Sequence, residues 1–138
     1  MAGLTSAIRT FIATSPLAHA VTLGADGAPQ VSVAWVGIEG DELVIGTLHD
    51  QAKLENLRRD SRIAMSFAVP GRNEYGLDRY LVPRGVARIT EGGAASLSHD
   101  LAQTYIGPGT SFPPMPDPPA GFVIRMTVQQ ISGNGDWR

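Results

Sequence analysis

The chain has 138 residues, 17% of them charged, a formal net charge of -2 and no cysteine. That length suits a single domain, spanning residues 1–138, with a real core, because at about 150 residues folding removes roughly two-thirds of the unfolded chain's surface. The weak net charge argues against a broad nucleic-acid footprint, and the missing cysteines exclude disulfides, zinc–thiolate sites, iron–sulfur clusters and cysteine nucleophiles.

His19, His49 and His99 lie far apart, without metal-ligand spacing. No apolar run approaches the length of a membrane span, and the N-terminus lacks a signal-peptide layout. A soluble, cytoplasmic protein is expected. Of the basic residues, ten are Arg and one, Lys53, is Lys.

In chain order, Leu4, Ala7, Ile8, Phe11 and Ile12 recur at helical spacing and predict a short amphipathic helix from about Gly3 to Thr14. Ser15-Pro16 stops it. His19 to Leu23 reads as a strand, and Asp26-Gly27 as a hairpin turn. Gln30 to Val36 alternates as a half-buried strand does. Glu39-Gly40-Asp41 is a second tight turn, and Leu43 to Leu48 a third strand. Two successive hairpins predict a meander.

Asp50 is placed to cap a helix running to about Asp60, with Leu54 and Leu57 on its apolar side. Ile63 to Val69 reads as a strand ended by Pro70-Gly71. Arg79 to Ile89 reads as a long strand in which Pro83 implies an edge or a bulge. Ala94 to Tyr105 reads as a helix. Pro108 to Pro119 holds six of the ten prolines and cannot join a sheet interior. Phe122 to Ile131 is the last strand. The expected fold is mainly β, with five or six mostly antiparallel strands and three short helices, and a barrel removes its open edges most simply.

Lys53 carries the strongest chemical signal. It stands in the first turn of its helix, where its charge opposes the dipole. An anion between it and the free backbone N–H groups reverses that conflict, and a point-charge phosphate contact is a known use of lysine. Asn56 follows three residues on, on nearly the same face, and Gln51 and Thr47 stand beside that turn as further donors. Gln30, Ser32 and Ala34 share one face of the second strand and can line the edge of a planar ligand. Trp137 is expected to pack against a ligand, a partner subunit or its own core. The contiguous Ser98-His99-Asp100 points its side chains apart and is not read as a triad.

The runs Asp26 to Ser32, Leu43 to Leu48 and Lys53-Leu54-Glu55-Asn56-Leu57-Arg58-Arg59-Asp60-Ser61-Arg62 resemble the pyridoxamine 5'-phosphate oxidase-like split β-barrel superfamily. Within it, the chain is most similar to the actinobacterial flavin/deazaflavin oxidoreductases that use the deazaflavin coenzyme F-420. The resemblance implies a homodimer of split barrels, FMN-binding in type, with cofactors at the subunit interface. It implies that Lys53 and Asn56 hold the cofactor phosphate, that Gln30, Ser32 and Val33 line its ring system, and that Gly46 and Thr47 precede the phosphate turn. Trp137 and Arg138 would approach from the other subunit. Gln51 departs from the family's usual Arg. The implied activity is hydride transfer from reduced F-420 to a small electron-poor substrate, with the proton coming from solvent or a tyrosine such as Tyr80. The alternatives are an FMN-dependent oxidoreductase and a flavin-, deazaflavin- or haem-binding protein without turnover. Arg58, Arg59 and Arg62 would supply a diffuse positive field for the acidic tail of F-420.

Overall fold

A computed structural model describes residues 3–138. The order is α1 (Ser6–Ile12), β1 (Ala18–Leu23), β2 (Pro29–Ala34), β3 (Gly37–Glu39), β4 (Glu42–Thr47), α2 (Ala52–Arg59), β5 (Arg62–Arg72), β6 (Asp78–Glu91), α3 (Ala94–Tyr105) and β7 (Phe122–Asn134). The fold is mainly β, as the sequence implies, but with seven strands among the described residues.

All strands join one sheet in the order β2-β1-β5-β6-β7-β4-β3, and every pair is antiparallel. The predicted meander is replaced by two separate hairpins. β1 pairs with β2, and β3 with β4, yet β2 and β3 lie at opposite ends of the order. The chain crosses between those ends through Trp35 and Val36, so the covalent backbone, not a hydrogen-bonded ladder, joins the two edges. This is the split barrel.

β5 shows why the sheet curls around a core. Ile63, Met65, Phe67 and Val69 are buried, and the residues between them face outward, as a two-residue period requires. Each such buried side chain contributes about 1.5–3 kcal/mol. Leu43 and Ile45 of β4, Leu81 of β6 and Met126 of β7 meet them, and α1 adds Ile8, Phe11 and Ile12. Phe11 packs edge-on to Phe67 at 5.8 Å between ring centroids.

β5 continues through Pro70-Gly71 to Arg72 instead of stopping there. The proline is tolerated because the ladder to β6 shifts register between Val69 and Arg72. Pro83 lies in a strand paired on both sides, not at an edge. It fits because the β6–β7 register shifts at Arg84 and Gly85, the bulge that a proline in a central strand requires. At Gly85 a Cβ would lie 1.9 Å from the Thr127 carbonyl oxygen, so only glycine permits that approach.

Candidate functional site

The end of β4, the start of α2 and the outer edge strand β2 come together around Lys53. Gln51, not Asp50, is the N-cap of α2, and no side chain caps that end. Asp50 is drawn off by Arg58, whose Nη1 donates to its two carboxylate oxygens at 3.1 and 3.2 Å and also to Glu55. The first N–H groups of α2 thus lack a side-chain acceptor, the condition under which a helix start attracts an anion.

Lys53 is half-buried, and burial lowers its pKa from the usual lysine value. Among the described residues it forms no ion pair. Desolvating an ammonium without a counter-charge is costly. Thr47 ends β4 close by. It is 4% exposed, and among the described residues its buried hydroxyl has no hydrogen-bond partner. Gly46 lets α3 lie against β4, since a Cβ there would stand 3.1 Å from Ser98 Oγ and 3.2 Å from the Ala94 carbonyl oxygen.

Asn56 is buried behind this site. Its Nδ2 donates to Thr22 Oγ1 at 3.0 Å and to Gln30 Oε1 at 2.6 Å. Its amide nitrogen is therefore committed to the protein and ties the Gln30 side chain of β2 to α2 through Oε1.

Two grooves open on either side of Lys53. One, of about 520 Å³, is lined by Thr22, Gln30, Val31, Ser32, Gln51, Ala52 and Lys53. The other, of about 500 Å³, runs past Val33, Trp35, Thr47, His49, Lys53 and Phe112. Gln51 and Lys53 border both. The structure thus brings together Gln30, Ser32, Val33, Gly46, Thr47, Gln51 and Lys53.

The aromatic wall of the second groove was not legible in the sequence. Trp35 stacks on Tyr105 with ring centroids 5.2 Å apart and 15° between planes, and Phe112 leans on it at 5.1 Å. The Tyr105 hydroxyl donates to the Pro16 carbonyl and accepts from the Val36 N–H; burial pushes its pKa up. The proline-rich connector that carries Phe112 is pinned to α3, with His99 Nδ1 against the Phe112 carbonyl oxygen at 3.1 Å and Gln103 Nε2 donating to that of Thr110 at 2.9 Å.

Trp137 takes one of the placements its sequence allows, the core of its own chain. It is 6% exposed and packs in its own chain's core, 5.6 Å from the Phe11 ring centroid. Its Nε1 donates to the Tyr80 carbonyl oxygen at 3.1 Å, and Arg79 lies over its ring. Its remaining edge borders a separate cavity of about 450 Å³ that is also lined by Thr5, Ile131 and Arg138. Neither Trp137 nor Tyr80 lines the two grooves. The three arginines expected to give a diffuse positive field differ in their partners. Arg58 is paired with Asp50 and Glu55, and Arg62 with Asp60. Arg59 makes no ion pair among the described residues.

Among the described residues no group of His, Asp and Glu could hold a metal, and no helix is long and apolar enough to cross a membrane.

Comparison with solved structures places this architecture among known folds. An F-420 reductase superposes with a TM-score of 0.71 at 26% identity, over 90% of this chain and 94% of its own. A conserved hypothetical protein from Mycobacterium tuberculosis gives 0.74 at 26% identity, over 94% and 83%. A heme binding protein from Mycobacterium smegmatis gives 0.64 at 23% identity, over 94% of this chain and 53% of its own, and shows the shared fold alone. No curated protein matches the sequence. The pyridoxamine 5'-phosphate oxidase family model matches residues 4–135. With that match over nearly the whole chain, and the split barrel it accompanies, the chain belongs to the pyridoxamine 5'-phosphate oxidase family.

Proposed function

We propose that the protein is an oxidoreductase of the flavin/deazaflavin type, working as a homodimer, that binds coenzyme F-420 in preference to FMN and uses its reduced form on a small electron-poor substrate. The observation that carries this reading is Lys53, a half-buried cation without a counter-charge at an uncapped helix start, between two grooves. The donor set suits a phosphate. It comprises the Lys53 ammonium, the Thr47 hydroxyl, the Gln30 NH2 and the first N–H groups of α2, with no carboxylate among them. The apolar part of the second groove, walled by Val33, Trp35 and Phe112, suits a flat ring system.

The two grooves favour F-420. Its phosphate is a diester with the ring on one side and an acidic tail on the other, so a phosphate at Lys53 sends one part into each groove. FMN ends at its phosphate and fills one. The first groove offers Ser32 and Gln51 to the tail. The 26% identity to an F-420 reductase over most of both chains supports the same reading.

When bound, the reduced deazaflavin supplies the hydride. The chain's own work is to bind and orient. Lys53 and the α2 start hold the phosphate, β2 gives the ring a straight edge, and the Trp35–Tyr105–Phe112 wall keeps water from one side. The pocket needs no protein nucleophile. Titration of the ligand-free protein with F-420 and FMN side by side tests the proposal. Tighter F-420 binding is expected, with consumption of reduced F-420 in the presence of quinones or enones. Equal or tighter FMN binding overturns the cofactor assignment, and no turnover across such a panel overturns the reductase assignment.

A further inference from the structure

We infer that His49 is a second, protonatable cation of the Lys53 groove, so that a phosphate-bearing ligand is held more tightly as the pH falls. This rests on the phosphate reading above. The groove is chemically divided. Leu17, Val33, Trp35, Leu101 and Phe112 form its apolar part, while Thr47, His49, Gln51 and Lys53 gather at the junction of β4 and α2. Thr47, His49 and Gln51 alternate along one stretch of chain, and Gln51 is extended, with φ -130° and ψ 166°.

The three histidines differ in what they touch. His19 Nδ1 meets the Ser66 carbonyl oxygen at 3.2 Å and His99 Nδ1 that of Phe112 at 3.1 Å. His49 is exposed and makes no hydrogen bond among the described residues, so both ring nitrogens are available to a ligand.

The charges around His49 point the same way. α2 presents Lys53, and α3 presents Ser98 and Leu101 without a charge. β2 and the connector present Val33, Ala34, Trp35 and Phe112. The neighbouring carboxylate, Asp50, is engaged by Arg58. With no acidic group lining the groove, a protonated His49 beside Lys53 finds its counter-charge in the ligand. Thr47, whose buried hydroxyl has no partner among the described residues, lines the same end of the groove. Histidine is the side chain whose ordinary range makes such a charge appear near neutrality.

The test is a fluorescence titration of the full chain with F-420 at constant ionic strength, at about pH 5.5 and about pH 8, either side of histidine's ordinary range. It compares wild type with His49→Gln and His49→Arg. The ligand's own ionisation is common to all three proteins, so the ratio between proteins at each pH isolates His49. Wild type is expected to gain about fivefold over His49→Gln at the lower pH and less than about twofold at the higher, the size of a modest proton linkage. His49→Arg is expected to hold the tighter ratio at both. Riboflavin, which lacks the phosphate, is expected to show no such pH-dependent ratio. A wild-type to His49→Gln ratio that is the same at both pH values overturns the inference and leaves the phosphate reading standing. No F-420 binding at either pH overturns both.

Discussion

Lys53 is the residue at which stability and binding oppose one another. Burial lowers its pKa, so the folded chain holds this proton less tightly than the unfolded chain does. The sign of the linkage follows. The charged ammonium destabilises the ligand-free fold below its folded pKa, and this cost disappears as pH rises from there towards the usual lysine value of 10.5. Lys53→Met is therefore expected to leave the melting temperature of the ligand-free protein at neutral pH unchanged or raised. The same substitution is expected to weaken F-420 binding by about 1.5–3 kcal/mol, the scale of a charge-assisted hydrogen bond. A lower melting temperature with unchanged binding would return Lys53 to an ordinary surface role. Thr47→Val makes the parallel case. It removes a buried hydroxyl that has no partner among the described residues, so ligand-free stability should hold or rise by up to about 1 kcal/mol, while titration should show weaker binding. A loss of stability would mean that the hydroxyl already has a protein or water partner.

At the scale of an element, α2 is a helix whose start is kept unfinished. Its interior was legible, because Leu54 and Leu57 recur on one face and Arg58 and Arg59 suit its last turn. Its cap was not. Asp50 has the right chemistry, yet Arg58 folds back to hold it, a contact that exists only once the turn before the helix is made. Gln51→Asp would supply the missing cap. It should stabilise the ligand-free protein by about 1 kcal/mol and weaken phosphate binding, because a carboxylate then competes for the same N–H groups. Chemical denaturation and titration of the one variant read both effects, and a change of the same sign in both would refute the account. Asn56 is the other lesson of this element. Its spacing from Lys53 suggested a ligand contact, but it lies on the buried side, tied to Thr22 and Gln30. Asn56→Ala should cost about 1–3 kcal/mol of stability by removing two hydrogen bonds, one of them to the buried Thr22 hydroxyl.

For the whole molecule, the C-terminal segment closes the core. Thr5 Oγ1 donates to the Trp137 carbonyl oxygen at 2.7 Å, joining the two ends of the chain around Phe11. Trp137→Ala should cost about 3–5 kcal/mol, the range for emptying a large aromatic site, measured by denaturant unfolding; a cost under about 1 kcal/mol would deny the indole its core role. The proposed dimer belongs to this scale as well. Val31 and Val33 on the edge strand β2 are 66% and 57% exposed, an apolar edge that a second copy would cover. Light scattering at micromolar concentration should give a dimer mass for wild type and a lower mass for Val31→Lys; a monomeric wild type would remove the proposal. The sequence by itself determined the helices, most strands, the hairpin turns and the lysine at a helix start, because periodicity, turn residues and helix ends are local properties of neighbouring residues. It did not determine the order of strands. The meander expected from successive hairpins gave way to β2 and β3 at opposite ends of the sheet, since long-range pairing is decided by which apolar faces close a common core. For the same reason only the tertiary structure could set Phe112 against Trp35, turn Asn56 inward and bury Trp137. Each of those contacts joins residues far apart in the chain, and no local pattern records them.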